Sequence, residues 1–208
     1  MVWELLADTF RPGDEILALN CRAKEDALFL SLLDVSVVAC DLSDHLSKRC
    51  SGALFDGALS NLSGLNSVAG LNRTARDLAS VVPVGAPLVI CLSSRFCFSE
   101  TLWFLLHGKV RKAFRRSFAI ATVKVGDRAL KIHYPVLREV KKSFSPFFLM
   151  RSCTGIGVVV PPSYLEPISR KYPRVLGLLR RIDQAISHLP VFRIIGDHML
   201  LCFERIEG

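Results

Sequence analysis

The sequence contains no run of about 18 to 20 uninterrupted apolar residues, the length a helix needs to cross a bilayer. A spanning helix is therefore not expected, although half of the 208 residues are hydrophobic. The first residues, Met1-Val2-Trp3-Glu4, lack the basic stretch and apolar run of a secretory signal, so the expected location is cytoplasmic. Close pairs of cysteine or histidine at metal-ligand spacing are also missing. The seven cysteines are scattered, mostly through apolar runs, which predicts reduced, buried thiols and no metal site. There is no internal repeat and no low-complexity tract. Acidic side chains are in deficit, with 19 against 27 basic ones.

What is present is enough apolar material for a true core. A chain of this length buries roughly 70% of the surface its unfolded form exposes, without help from disulfides or metals. One domain spanning residues 1–208 is expected. The basic excess gathers in Lys109, Arg111, Lys112, Arg115 and Arg116. These charges alternate with Val110, Ala113 and Phe114, the pattern of an amphipathic helix with a solvated face. Nucleic-acid binding and contact with an anionic membrane surface rank behind that reading.

The chain alternates apolar strands with helical segments. A helix over Val2 to Phe10 precedes the strand Glu15 to Leu19, a helix Glu25 to Leu33 and the strand Val35 to Cys40. A short helix from Ser43 to Arg49, strands Phe55 to Ser60 and Pro87 to Leu92, and an intervening helix Val68 to Val81 follow. This alternation predicts an α/β fold with a mostly parallel sheet covered on both faces. The rhythm then changes. Helices Ser99 to Leu106 and Lys109 to Phe118 precede a hairpin, Ala119 to Val125 and Arg128 to His133, so residues 99–133 read as a lid or substrate-side insertion. The remainder predicts helices Val136 to Phe144, Tyr164 to Lys171 and Val175 to Ser187, with strands Phe147 to Cys153 and His198 to Phe203.

In open α/β sheets, ligands bind outside the carboxyl ends of the strands. Three loops qualify: Asn20 to Asp26, Asp41 to Asp44 and Asn61 to Asn66. A carboxylate closing the second strand suits two ribose hydroxyls, which makes Asp41 the sharpest single candidate; a helix cap is its plainer reading. Arg95, just beyond another strand's carboxyl end, is a candidate substrate-facing cation.

The stretches Ile16-Leu17-Ala18-Leu19-Asn20-Cys21, Val38-Ala39-Cys40-Asp41-Leu42-Ser43 and Phe55-Asp56-Gly57-Ala58-Leu59-Ser60-Asn61 resemble strand motifs of class I S-adenosylmethionine-dependent methyltransferases. Downstream, Glu100-Thr101-Leu102-Trp103, Pro161-Pro162-Ser163-Tyr164 and Gly196-Asp197-His198-Met199 are similar to a bacterial small-molecule branch of that family. The resemblance covers nearly the whole chain. It implies a Rossmann-like doubly wound sheet, S-adenosyl-L-methionine as cofactor and a small-molecule methyl acceptor. The cofactor loops would be represented by Asn20, Cys21, Asp26, Asp41, Leu42, Asn61, Gly64 and Asn66. On the substrate side it suggests His107, His133, Tyr134 and Tyr164 as polar groups near the transferred methyl. Such an enzyme mainly aligns its substrate and adds a base when a proton must leave.

Two departures stand out. The family's first loop is glycine-rich, whereas Arg22 and Lys24 occupy the expected glycine positions here. Only Leu42 to Leu54 separate Asp41 from the strand at Phe55, too few for the helix and strand of roughly 30 residues that the family places there, so a shortened sheet is expected. These departures keep two other readings open. One is a catalytically inactive pseudoenzyme acting as a binding subunit, with a protein partner on the shortened sheet edge. The other is an anion or nucleic-acid module in which Arg22 and Lys24 hold phosphate at a helix N-terminus.

Overall fold

A computed structural model describes residues 1–19, 24–40, 53–61, 64–68, 70–125, 128–162 and 173–207. The chain forms two compact units. The first comprises Met1–Leu92, Arg138–Ser152 and Leu201–Gly208, and the second Ser93–Leu137 and Cys153–Leu200. The expected insertion over 99–133 lies within the second unit.

In chain order the elements open with α1 (Val2–Thr9), β1 (Glu15–Leu19), α2 (Lys24–Ser31) and β2 (Ser36–Cys40). They continue with β3 (Gly57–Ser60), a 3-10 turn at Gly64–Ser67, α3 (Leu71–Ala79) and β4 (Pro87–Ser93). Next come α4 (Phe98–Leu106), α5 (Val110–Ala113), β5 (Ile120–Val125), β6 (Arg128–His133) and α6 (Leu137–Phe144). The chain closes with β7 (Phe148–Ile156), α7 (Pro173–Ile186) and β8 (His198–Arg205).

Six strands hydrogen-bond in the order β2-β1-β3-β4-β8-β7, and β5 with β6 makes a separate pair. β1 runs parallel to both β2 and β3, and β3 runs parallel to β4. The chain thus winds from β1 outward to β2, then returns past β1 to β3. That reversal is a topological switch point, where a doubly wound sheet opens a crevice at its carboxyl edge. Among the described residues β2 is an edge strand of the sheet.

Strands β1, β3 and β4 are buried along nearly their whole length because both faces are covered. Ile16 to Leu19, all of β3 and Leu88 to Leu92 are buried. Phe10 and the start of β4 come so near that Gly57 is required in β3. A Cβ there would lie 2.7 Å from the Phe10 ring and 2.8 Å from the Pro87 carbonyl oxygen. Phe144 of α6 packs between Phe148 and Phe203, with ring centroids 5.9 and 5.1 Å away. Arg205 closes this end by donating to the Ala79, Phe147 and Ile206 carbonyls.

In the second unit, Asp183 of α7 is buried and accepts from the Gly157 and Val159 amides at 2.9 and 2.8 Å. One carboxylate thus satisfies two otherwise orphaned donors in the turn after β7. The expected hairpin is present as an antiparallel pair running from Ile120↔His133 to Val125↔Arg128.

Two expected boundaries are corrected. The helix Lys109 to Phe118 stops at Ala113, because Arg116 turns inward to a buried ion pair and Ala119 takes φ 62°, which no continuing helix allows. The strand from Phe55 begins instead at Gly57, since the Asp56 carboxylate caps the Glu15 amide at 2.8 Å. The expected helices Ser43 to Arg49 and Tyr164 to Lys171 lie outside the described residues. Of the cysteines, Cys40, Cys91, Cys97 and Cys153 are buried thiols, as expected.

Removing the central ring is expected to be costly. Phe144→Ala should lower stability by about 3–5 kcal/mol, read as a reduced urea midpoint with an unchanged slope.

Candidate functional site

The first cluster sits at the switch point, within the first unit. Asp26, in the first turn of α2, is buried, and both of its carboxylate oxygens are engaged. The Trp3 indole N–H donates to Oδ1 at 3.0 Å, and the Asn61 amide donates to Oδ2 at 2.8 Å. Trp3 is itself held by stacking on Phe29, with centroids 4.9 Å apart. A carboxylate has about four acceptor positions, so two donors fix its orientation and leave it able to accept more. Asn61 follows β3 directly, and Asn66 is buried in the 3-10 turn that opens at Gly64.

Beside Asn61 in sequence, the Ser60 hydroxyl at the carboxyl end of β3 is buried with no hydrogen-bond partner among the described residues. A buried orphan hydroxyl costs about 1–3 kcal/mol, and native structures keep few of them without a purpose. At the mouth of a doubly wound sheet, a bound polar group is the natural complement. Asp26, Ser60 and Asn61 supply acceptors and an amide donor at this edge. That donor set fits a cofactor bearing ribose hydroxyls and an amino group.

The second cluster lies wholly in the second unit. Arg116 is buried between Glu100 of α4 and Asp197, at 2.5 and 2.7 Å. The contact to Glu100 Oε2 is an ion pair without the alignment of a hydrogen bond, whereas Asp197 receives a true one. Arg116 also donates to the Asp197 carbonyl at 3.1 Å and lies 5.6 Å from the Tyr134 ring centroid. Arg115 reaches the other Glu100 oxygen at 2.6 Å, and His198 Nδ1 is 3.2 Å from Asp197.

Burial works against the Arg116 charge, but Asp197 and Glu100 outweigh it and hold the guanidinium above its ordinary value. Burial also pushes Asp197 upward. Its hydrogen bond with His198 and the nearby positive charges prevail, leaving its carboxyl below the usual range. The Cys97 thiol, raised chiefly by burial to about 11, stays protonated. Cys97, Glu100 and Asp197 offer ligand atoms within 4.8 Å of one another. They do not fit a metal, because the thiol is neutral and the Arg116 guanidinium already balances the two carboxylates.

The expected site residues divide accordingly. Asp26 and Asn61 are brought together by a hydrogen bond. Arg95 and Tyr134 also meet, the Arg95 Nε donating to the Tyr134 carbonyl at 2.9 Å. His133 precedes Tyr134 at the end of β6, half-buried. His107 is exposed at the end of α4, where its Nδ1 lies 2.8 Å from the Trp103 carbonyl and its ring packs tilted against Trp103. Asn20, Cys21, Asp41, Leu42 and Tyr164, together with Arg22, fall outside the described residues. The sequence reading missed Trp3, Ser60 and the Arg116 triad, whose partners are distant in the chain. The triad's only local hint was a lone acidic residue, Glu100, inside a long basic and apolar stretch.

Breaking that triad tests its energetics. Arg116→Met leaves the buried Glu100 with Arg115 alone and the half-buried Asp197 with His198 alone, and should cost about 3 kcal/mol, measured by urea unfolding at neutral pH. Because the folded value of Asp197 is depressed, its contribution is complete above about pH 4 and is lost as pH falls through that lower value. Asp197→Asn should therefore flatten the acid limb of stability, seen in urea midpoints collected from about pH 6 downward.

No family model and no curated protein sequence matches the chain. Solved structures do. A Listeria monocytogenes protein assigned as an S-adenosylmethionine-dependent methyltransferase superposes with TM-score 0.63 at 10% identity, covering 99% of this chain and 96% of that one. A TehB-like S-adenosylmethionine-dependent methyltransferase from Corynebacterium glutamicum gives 0.54 at 10% identity, covering 98% and 86%. The cyclopropane synthase MmaA2 from Mycobacterium tuberculosis gives 0.53 at 10%, covering 99% and 83%. The chain has the Rossmann-like fold of class I S-adenosylmethionine-dependent methyltransferases.

Proposed function

We propose that this chain binds S-adenosylmethionine at the carboxyl ends of β1 and β3 and passes its methyl group to a small-molecule acceptor. The orphan Ser60 hydroxyl at the switch point of a methyltransferase-type sheet carries the reading. When bound, the cofactor supplies an electrophilic methyl carbon, so the protein needs no strong nucleophile of its own.

The work of the chain's residues is then to bind and orient. Asp26, fixed by Trp3 and Asn61, is a preorganised acceptor for the cofactor's amino or hydroxyl donors. Ser60 gains the partner it lacks. Asn20, Cys21, Asp41, Leu42, Gly64 and Asn66 complete the proposed shell, with Asp41 on the ribose. Arg95 and Tyr134 are proposed to position the acceptor, and His107, His133 or Tyr164 to take up a proton when one must leave.

A second reading rests on Arg22 and Lys24, which stand where that fold's first loop usually has glycine. Under it the chain is an inactive binding subunit, since fold alone does not fix chemistry.

Titration calorimetry with S-adenosylmethionine and S-adenosylhomocysteine separates the two. Ser60→Ala makes the test specific, because its two effects have opposite signs. It removes an unsatisfied group and should stabilise the free protein by about 1 kcal/mol, yet weaken cofactor binding about five-fold. Absence of binding by the wild-type protein at millimolar ligand overturns the reading and favours the inactive subunit.

A further inference from the structure

Helix α4 is inside out. Phe98, Leu102, Leu105 and Leu106 recur at the spacing of one helical face, the pattern that ordinarily marks the buried side. They are instead 42, 45, 42 and 75% exposed, while Glu100 and Thr101 are 1 and 7% exposed. The apolar surface continues past the helix into Val110, Phe114 and Phe118, at 56, 42 and 77%. Scattered exposed leucines need no explanation, but a run of this kind marks a surface with a partner.

The charge around it states the partner's sign. By sequence, the second unit holds fifteen Lys and Arg against five Asp and Glu, a surplus of ten, while the first holds twelve against fourteen. The net charge of +8 therefore belongs entirely to the unit that exposes this stripe. Three of its five acids, Glu100, Asp183 and Asp197, are used internally, by Arg115 and Arg116 or by backbone amides. From Ser93 through Val125, Glu100 is the one acidic residue. Exposed Lys109, Arg111 and Lys112 interleave with the exposed apolar side chains.

We infer that α4 and the α5 turn form a docking surface for an anionic phospholipid bilayer. Exposed Leu and Phe give the depth of insertion into the headgroup boundary, and the interleaved cations reach the lipid phosphates. A second copy of the chain would bring the same sign of charge to the contact, which argues against self-association. A nucleic acid would match the charge but leave the leucines uncovered.

The test is co-sedimentation of the full chain with large vesicles of phosphatidylcholine alone, or with about 30% phosphatidylglycerol. Binding is expected to the anionic vesicles, at least ten-fold tighter than to the neutral ones, and weakened at about 0.5 M salt. Reversing Lys109, Arg111 and Lys112 to Glu should reduce affinity by roughly five-fold per residue. Leu102→Ser with Leu106→Ser should reduce it at least ten-fold. Both variants alter exposed side chains, and unchanged circular dichroism and urea midpoints would verify their folding. Equal binding to both vesicle types, or none to the anionic ones, overturns the inference. So does duplex binding that the leucine variant retains while vesicle binding is absent, or a dimer that the leucine variant dissociates.

Discussion

The second unit is organised around one buried charge. Taking the Arg116 guanidinium out of water costs several kcal/mol unless acceptors surround it, and here Glu100, Asp197 and the Asp197 carbonyl do so. The three positions come from α4, the segment after α5 and the residue before β8. Each is constrained by the others. Helix α5 stops short because Arg116 must turn inward, and α4 is rotated so that Glu100 faces the ion pair. The apolar stripe of α4 is left outside as a geometric result of that rotation. A polar interaction in the interior thus decides which hydrophobic residues the surface displays.

The first unit follows the opposite logic. Its central strands β1, β3 and β4 are buried on both faces, and Asp26, Ser60 and Asn61 gather at the carboxyl edge, where the winding reverses between β1 and β3. Asp26 ties α1, α2 and the end of β3 together through Trp3 and Asn61, so the same carboxylate that suits a ligand also fixes the local backbone. Binding capacity and structural support are combined in one side chain. A substitution at Asp26 would disturb both, whereas Ser60 separates them.

Much of the fold was legible because it rests on local patterns. β1 falls on Glu15–Leu19 as read, since a short apolar run bounded by turn residues has one reading when strands and helices alternate. The hairpin of Ile120–Val125 with Arg128–His133 and the start of β8 at His198 were equally local. The helix expected over Lys109 to Phe118 was not, because its periodicity is real but a long-range ion pair overrides it. The site was readable only by position. Strand ends pointed to Asp26 and Asn61, yet the bond between them spans 35 residues and the Trp3 contact spans 23, distances over which no spacing rule operates. The direction in which the α4 stripe faces was likewise invisible, since hydrophobic spacing alone assigns such a stripe to the core.

The chain's two tryptophans fall one in each unit. Trp3 hydrogen-bonds Asp26 and stacks on Phe29, and Trp103 lies on α4 against the His107 ring. Their emission reports on separate neighbourhoods, the first on the carboxylate at the sheet's edge and the second on the polarity around the exposed helix. Replacing either one by phenylalanine leaves a single tryptophan, so selectively excited tryptophan emission of the unlabelled protein can follow each neighbourhood independently.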